Sequence, residues 1–373
     1  MKILQTPPRF YPYIGGVETY VYYLSRELAK RGHLVNITCA DEPIGGSEEI
    51  DGIKVKRLKY ACKIANTNIT LGLPKALFNQ DTDIIHTHLP CPWNADISAI
   101  ISRLRKKPLF LTYHNDITAT GANKLLAETY NFTFLKFLLN QARKIFVSTQ
   151  NYLEYSVYLR PFLKKCIVAP LGVDLEKFKP LNLTKDNNGN NIFFLAKLDK
   201  FHRYKGLEYL LSSLKKIINR VPLKLYLGGE GDLMRYYKDC VRKLGLDSAV
   251  IFLGQLNQEE SLRYYNLCDI FVFPSVSPSQ EGFGLVALEA MACKKPVIIT
   301  DIIGVALDVK REHAGIVVKP KNTEELSEAI KYLLLNTNEI KIMGENALKL
   351  VREKYSWQRH ADIVEKEYLE AIE

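Results

Sequence analysis

Two glutamates eight positions apart, Glu281 and Glu289 in EGFGLVALEAMAC, are the residues of this 373-residue chain best placed to do chemistry. Gly282 and Gly284 stand beside the first of them. Glycine lets a backbone approach a ligand closely. A helix starting near Leu285 would point its unpaired N–H groups into the same space, which favours an anion such as a diphosphate. A carboxylate beside an anion site makes sense where hydroxyl groups need an acceptor. A nucleotide sugar has both parts: phosphates for the amides, sugar and ribose hydroxyls for the carboxylates. A plain structural account also fits either glutamate alone, since an acid near the start of a helix is favourable by itself.

The elements that must hold this pattern are written around it. Ile270 to Phe273 is an unbroken apolar run and reads as a buried strand. A polar loop follows from Ser275 to Gln280. The helix is expected from Leu285 to about Cys293, with Leu285, Leu288 and Ala292 on one face. Pro296 ends it, and VIIT begins another buried strand. The unit is strand, glycine-containing loop, helix, strand.

The same alternation runs through the whole chain. KILQT is a first strand, and a helix from Val17 to about Lys30 follows the loop PPRFYPYIGGVE. Its glycine pair is either a close-approach site for an anion or a tight turn, and it does not match the GxGxxG fingerprint. In DIIHTH, His86 and His88 share one face of a strand. A metal pair is one reading, but no third ligand is evident. PLFLTYHND is a strand that runs out at His114, and open parallel sheets place ligands beyond the carboxyl ends of their strands. Residues 123–141 read as one long helix. Leu181 to Asn191, rich in Asn, reads as a linker. After it, Lys197, His202, Arg203 and Lys205 fill a strand-to-helix loop, which is a phosphate clamp or a solvated basic loop.

Bulk properties narrow the class. Hydrophobic residues make up 47% and charged residues 25%, as in a globular chain with a real core. No apolar run is long enough to suggest a membrane span. Seven scattered cysteines form no CxxC pair, so neither a disulfide framework nor a thiolate metal site is indicated, and a reducing cytoplasm is expected. The net charge of +10 is uneven: residues 1–180 hold 24 Lys and Arg against 15 Asp and Glu, and the remainder 27 against 26. That asymmetry suggests either a solvated basic surface or attraction to an anionic membrane or phosphate-bearing acceptor. No nucleic-acid motif is present.

EGFGLVALEAMAC, followed by KPVI, resembles the E-x7-E motif of family 4 retaining glycosyltransferases. The GGVE loop, the strand-end His114, Lys205-Gly206, Gly254-Gln255-Leu256 and PLGVDLEKFKP resemble further segments of that family, so the likeness spans nearly the whole chain. It implies a GT-B fold: two doubly wound, Rossmann-like α/β domains facing each other across a cleft. The first domain is expected over 1–175, with a final helix at 356–373 crossing back to it, and the second over 176–355. The implied reaction moves a hexose from a UDP- or GDP-sugar to a glycan, lipid-linked or small-molecule acceptor. It proceeds with retention and front-face attack, the leaving phosphate taking the acceptor proton, and needs no metal or other cofactor.

The resemblance assigns catalytic roles to His114, Glu281 and Lys205. It assigns donor binding to Gly16, Lys197, Lys205, Gly254, Leu256, Glu281, Gly282, Phe283, Gly284, Leu285 and Glu289, and sets Arg9, Phe10 and Tyr11 near the acceptor. Expected partners are the nucleotide-sugar donor, the acceptor and an anionic membrane surface on the cytoplasmic face, but no nucleic acid. The chain departs from the family pattern at three places. Lys294 stands where Gly is usual. Asp301-Ile302-Ile303-Gly304 replaces a small-residue loop. Ala196-Lys197 replaces Gly-Arg, keeping the charge but losing the bidentate fork. Two other readings are a nucleotide-sugar epimerase, which would want further acid/base groups, and a non-catalytic nucleotide-sugar-binding protein, against which both glutamates, His114 and Lys205 together count.

Overall fold

The computed structural model describes residues 1–13, 15–64, 67–117, 123–184, 190–278, 280–281 and 283–372. The chain divides into two compact units. One comprises Met1–Leu171 with Trp357–Glu373, the other Gly172–Ser356. Each is an α/β unit with its own sheet.

The first sheet runs, edge to edge, Cys166–Val168, Lys144–Val147, Leu109–Tyr113, Ile84–Leu89, Lys2–Thr6, Leu34–Ala40, Ile53–Leu58 and Gly46–Ile50. All neighbours are parallel except the last pair. The antiparallel edge strand Gly46–Ile50 is not foreseen from its exposed, acidic sequence. It is held by pairing with Ile53–Leu58 and by the buried Arg57, whose guanidinium meets Glu48. Strands buried on both faces are near-continuously apolar. Ile84–Leu89 is buried at every position yet carries His86, Thr87 and His88, so its polar groups need partners inside the protein.

The expected single helix over 123–141 is two: Asn123–Phe132 and Phe134–Gln141. Thr133 breaks it. Its hydroxyl bonds back to the Thr129 carbonyl at 2.7 Å, as the Thr129 hydroxyl does to Leu125 at 2.8 Å. Such back-bonding bends helices. A short helix, Gln150–Tyr155, follows the strand Lys144–Val147. Leu135, Leu138 and Leu139 enter the core of this unit with Leu109, Leu111 and Ile145.

The second sheet is wholly parallel: Val250–Gly254, Leu223–Gly228, Asn190–Leu195, Ile270–Phe273, Val297–Thr300 and Gly315–Val318. The strand order reverses between Asn190–Leu195 and Ile270–Phe273, and a crevice at such a switch point is the usual ligand site of open sheets. In the first unit the corresponding reversal lies between Lys2–Thr6 and Ile84–Leu89.

Candidate active site

At the switch point of the second unit, the segments leaving Asn190–Leu195 and Ile270–Phe273 are tied together. Val276 N–H donates to the Tyr204 carbonyl at 2.7 Å and the Ser275 hydroxyl to the same oxygen at 3.0 Å. Gly206 is at φ +81°, and a Cβ there would sit 2.0 Å from the Pro274 carbonyl oxygen. Only glycine allows this contact. The close contact delivers Lys205 to Glu281. The Lys205 Nζ donates to Glu281 Oε2 at 2.7 Å, with Glu281 buried and the ammonium between the Tyr204 and Phe273 rings, 4.8 and 4.9 Å from their centroids. Burial pulls the Lys205 ammonium down, but the Glu281 carboxylate outweighs it and holds the group above its ordinary value.

The basic loop is mostly neutralised from within. His202 Nδ1 lies 2.7 Å from Asp199, whose carboxylate also caps the 3-10 turn Lys200–Lys205 by accepting from Phe201 and His202 N–H. Arg203 pairs with Glu208 at 2.5 Å. Lys197 is exposed and has no carboxylate partner among the described residues. Of the four basic residues in the expected clamp, Lys205 is paired with Glu281, and Lys197 alone has no carboxylate partner among the described residues.

Glu289 lies in the helix Leu285–Ala292, one oxygen accepting the Tyr265 hydroxyl at 2.7 Å. Burial pushes its carboxyl up to about 7, and the Tyr265 hydrogen bond opposes that. Tyr265 is fully buried against Phe193 and Phe271. Nothing in SLRYYNLCD marks it in advance, because a tyrosine in a short amphipathic helix reads as core.

The other expected donor contacts divide. Gly254, at φ +75°, faces open space, and Leu256 packs over Gly228. Phe283 is buried, its ring edge-on to Tyr355 at 5.7 Å, so only its backbone is free to meet a ligand. Gly284 is at φ +83°, and a Cβ would lie 2.9 Å from Ile303, so its glycine is demanded by the turn into Leu285 rather than by a ligand. Gly282 lies outside the described residues. In the first unit Gly16 opens the helix Gly16–Lys30 and faces open space, whereas a Cβ on Gly15 would meet the Glu18 carboxylate at 2.2 Å. Glu18 and Tyr13 hold the buried Arg9, at 3.1 Å and across the ring at 4.2 Å.

His114 follows the strand Leu109–Tyr113, its ring edge-on to Tyr20 at 4.8 Å and stacked on His88 at 5.8 Å. Its Nε2 is buried without a hydrogen-bond partner. Buried polar atoms are rarely left so. Beneath it runs an ordered chain. His360 Nδ1 lies 2.9 Å from the Pro170 carbonyl, which can only accept, so Nε2 must accept from the Tyr20 hydroxyl at 2.8 Å. With its proton given to His360, the Tyr20 oxygen accepts from the Thr112 hydroxyl at 3.0 Å, Thr112 accepts from His86 Nε2 at 2.8 Å, and His86 Nδ1 accepts from the Tyr368 hydroxyl. His86 is thus occupied on both nitrogens and His88 bonds Gln5 at 2.8 Å. Among the described residues no group of three His, Cys, Asp or Glu is placed to hold a metal ion.

These imidazoles are neutral. Burial takes His360 to about 4, His114 to about 3, and His86 and His88 well below 6.5. The unfolded chain protonates them below about pH 6.5 while the folded one does not, so stability present above that value is lost as pH falls. Each fully buried imidazole is expected to cost about 2 kcal/mol by pH 5. Denaturant midpoints measured from about pH 7 to about pH 5 should fall steadily; a flat profile would mean the four rings are not buried neutral.

Comparison with known proteins now bears on this geometry. Residues 14–177 match the model of Glycosyltransferase Family 4, and residues 179–350 that of Glycosyl transferases group 1. The chain belongs to the family 4 glycosyltransferases. O-antigen chain mannosyltransferase C of Escherichia coli is 28% identical over 365 residues, covering 95% of each chain. Sucrose-phosphate synthase of Thermosynechococcus elongatus superposes with a TM-score of 0.77 at 24% identity, over 99% of both chains. The Anabaena protein HepE, solved with UDP, superposes with a TM-score of 0.77 at 18% identity, over 99% of this chain and 100% of that one. The fold is therefore GT-B, and the protein is a glycosyltransferase that uses nucleotide sugars. The glycine usual in the family where Lys294 stands also has its reason: Lys294 is at φ +62°, the left-handed region in which glycine carries no strain.

Proposed function

We propose that this glycosyltransferase moves a hexose from a UDP- or GDP-sugar to a glycan or lipid-linked acceptor, with retention at the anomeric carbon and without a metal. The observation that carries the reading is the buried Lys205–Glu281 pair at the switch point of the second sheet. Lys205 fixes one Glu281 oxygen, leaving the other to take a sugar hydroxyl. Lys197, Lys205 and the amides opening the helix Leu285–Ala292 meet the diphosphate charge as it develops on the leaving group. Glu289, pinned by Tyr265, takes the ribose hydroxyls. His114 takes the role that the family resemblance gives it, a contact to the transferred sugar. The leaving phosphate oxygen accepts the acceptor proton, so no side chain is needed as base.

The UDP and UDP-glucose bound in HepE, and the E. coli relative's name as an O-antigen chain mannosyltransferase, support a nucleoside diphosphohexose and a growing glycan. The decisive experiment is a panel of UDP- and GDP-hexoses, with and without acceptor sugars, in which product anomers are read by NMR. Transfer with the donor's configuration is expected; an inverted product would overturn retention. Activity is expected to persist in EDTA. Loss on chelation, restored by a divalent ion, would show that Lys197 and Lys205 do not suffice for the diphosphate.

The acceptor reading includes the cytoplasmic face of an anionic membrane, motivated by the basic first 180 residues. Among the described residues no helix is long and apolar enough to cross a bilayer, so any such association would be at the surface.

A further inference from the structure

Glu289 is aimed by a tyrosine, and packing aims the tyrosine. One Glu289 oxygen accepts the Tyr265 hydroxyl at 2.7 Å, and the other has no partner among the described residues. Three rings bear on Tyr265. Phe193 at 5.1 Å and Phe271 at 5.4 Å come from strands of the second sheet. The third, Phe178, stands edge-on at 5.9 Å and is itself buried. It belongs to PLGVDLEKFKP, outside any helix or strand.

That segment is fastened on both sides of Phe178, within the unit Gly172–Ser356. Before it, Val173 pairs with Ser356, and the Val173 N–H donates to the Tyr355 carbonyl at 2.9 Å. Asp174 then turns the chain. Its Oδ1 accepts from the N–H groups of Glu176 at 3.0 Å and Lys177 at 3.3 Å, and its carbonyl from Phe178 at 2.8 Å. After Phe178, the Leu181 N–H donates to Asn266 Oδ1 at 2.7 Å, and Asn266 Nδ2 donates to the Lys179 carbonyl at 3.1 Å. Asn266 is the next residue after Tyr265 in the helix Gln258–Leu267. The segment is therefore stitched to the helix that carries Tyr265, and Phe178 has no freedom to back away from the ring. At its other end it also reaches the loop before Leu285–Ala292, because the Tyr355 ring lies edge-on to Phe283.

We infer that Val173–Leu181 is the backing of the donor site, with Phe178 as a positioning residue: its ring sets Tyr265, whose hydroxyl sets the Glu289 carboxylate for the donor ribose. This assignment rests on the proposed ribose contact of Glu289 and adds what aims it. Packing suits the task, because a binding group must be held within about 0.5 Å of its productive place.

The test uses the full chain, with UDP and GDP titrated by calorimetry and donor kinetics measured beside them. Phe178→Leu removes the ring edge and keeps an apolar side chain. Phe178→Met, which adapts to irregular gaps, is the second variant where the first does not fold. Nucleotide affinity is expected to fall, and the donor KM to rise, by about tenfold, the size of one hydrogen bond to a charged group. The turnover number should stay within about twofold, because the ribose is held alike before and during transfer. In a Tyr265→Phe background the hydroxyl is gone, so Phe178→Leu should add nothing. Leu333→Ala, a buried change in the helix Thr323–Leu335 of the same unit, should leave nucleotide affinity unchanged. Parental affinity in both Phe178 variants would overturn the inference. So would an undiminished effect in the Tyr265→Phe background, or the same loss from Leu333→Ala. Those results beside a weakened Glu289→Gln would leave the ribose contact standing. Parental nucleotide affinity in Glu289→Gln itself would overturn that contact and the inference with it.

Discussion

Replacing Glu281 with glutamine is expected to lower the turnover number by on the order of 10²-fold while leaving the fold intact. The substitution keeps the size of the side chain and leaves a carbonyl oxygen to accept from Lys205 at the 2.7 Å contact. What it removes is a negative charge held in a buried position, where charge acts more strongly than in water. A group whose contact strengthens as positive charge develops at the anomeric carbon affects the chemical step more than donor binding. The fall should therefore appear in kcat, with the donor KM changing less, and circular dichroism should match the parent. A variant with the parental turnover number would place the chemistry elsewhere.

Removing the partner should cost at least as much. Lys205→Ala takes away the cation assigned to the leaving diphosphate and also strands the Glu281 carboxylate in a buried position without its counter-charge. A loss of about 10²- to 10³-fold in kcat/KM is expected. Lys205→Arg keeps the charge but replaces a compact ammonium with a larger planar fork, which re-aims the 2.7 Å contact to Glu281, so it should recover only part of the rate. The double variant Glu281→Gln with Lys205→Ala separates a unit from two independent groups. If the pair acts as a unit, the double loss lies close to the larger single loss. Losses that multiply would mean that the ion pair seen here is incidental to the reaction.

Much of this arrangement was legible before any coordinates. The strand–helix alternation predicted two doubly wound units, because a buried parallel strand such as Ile270–Phe273 leaves an unbroken apolar run. Lys205 and Glu281 were singled out, but their direct pairing across 76 positions of sequence was not, because it depends on Gly206 letting one loop close against Pro274. The local pairing of His202 with Asp199 and of Arg203 with Glu208 was also hidden: a basic loop reads the same whether its side chains are engaged locally or kept for a ligand. A metal pair was one reading of His86 and His88, though no third ligand was evident. Their spacing on one face was correct, but the partners that occupy them, Tyr368, Thr112 and Gln5, come from three distant segments. The break at Thr133 was missed because apolar periodicity continues through it, whereas the hydroxyl bond that bends the chain leaves no periodic trace.

The last helix of the first unit, Trp357–Ile372, has a consequence for how the protein is made. Translation delivers Tyr20, His86 and Thr112 early, and then the entire second unit, before His360 and Tyr368 leave the ribosome. Until then the Tyr20 hydroxyl and His86 Nδ1 have no helix to bond. Domains generally fold in order of synthesis, but here the earlier half must wait for the later one. The nascent first unit is the stage at which a chaperone would find an unfinished face, and it is completed by the helix Trp357–Ile372 rather than by its own neighbours in sequence.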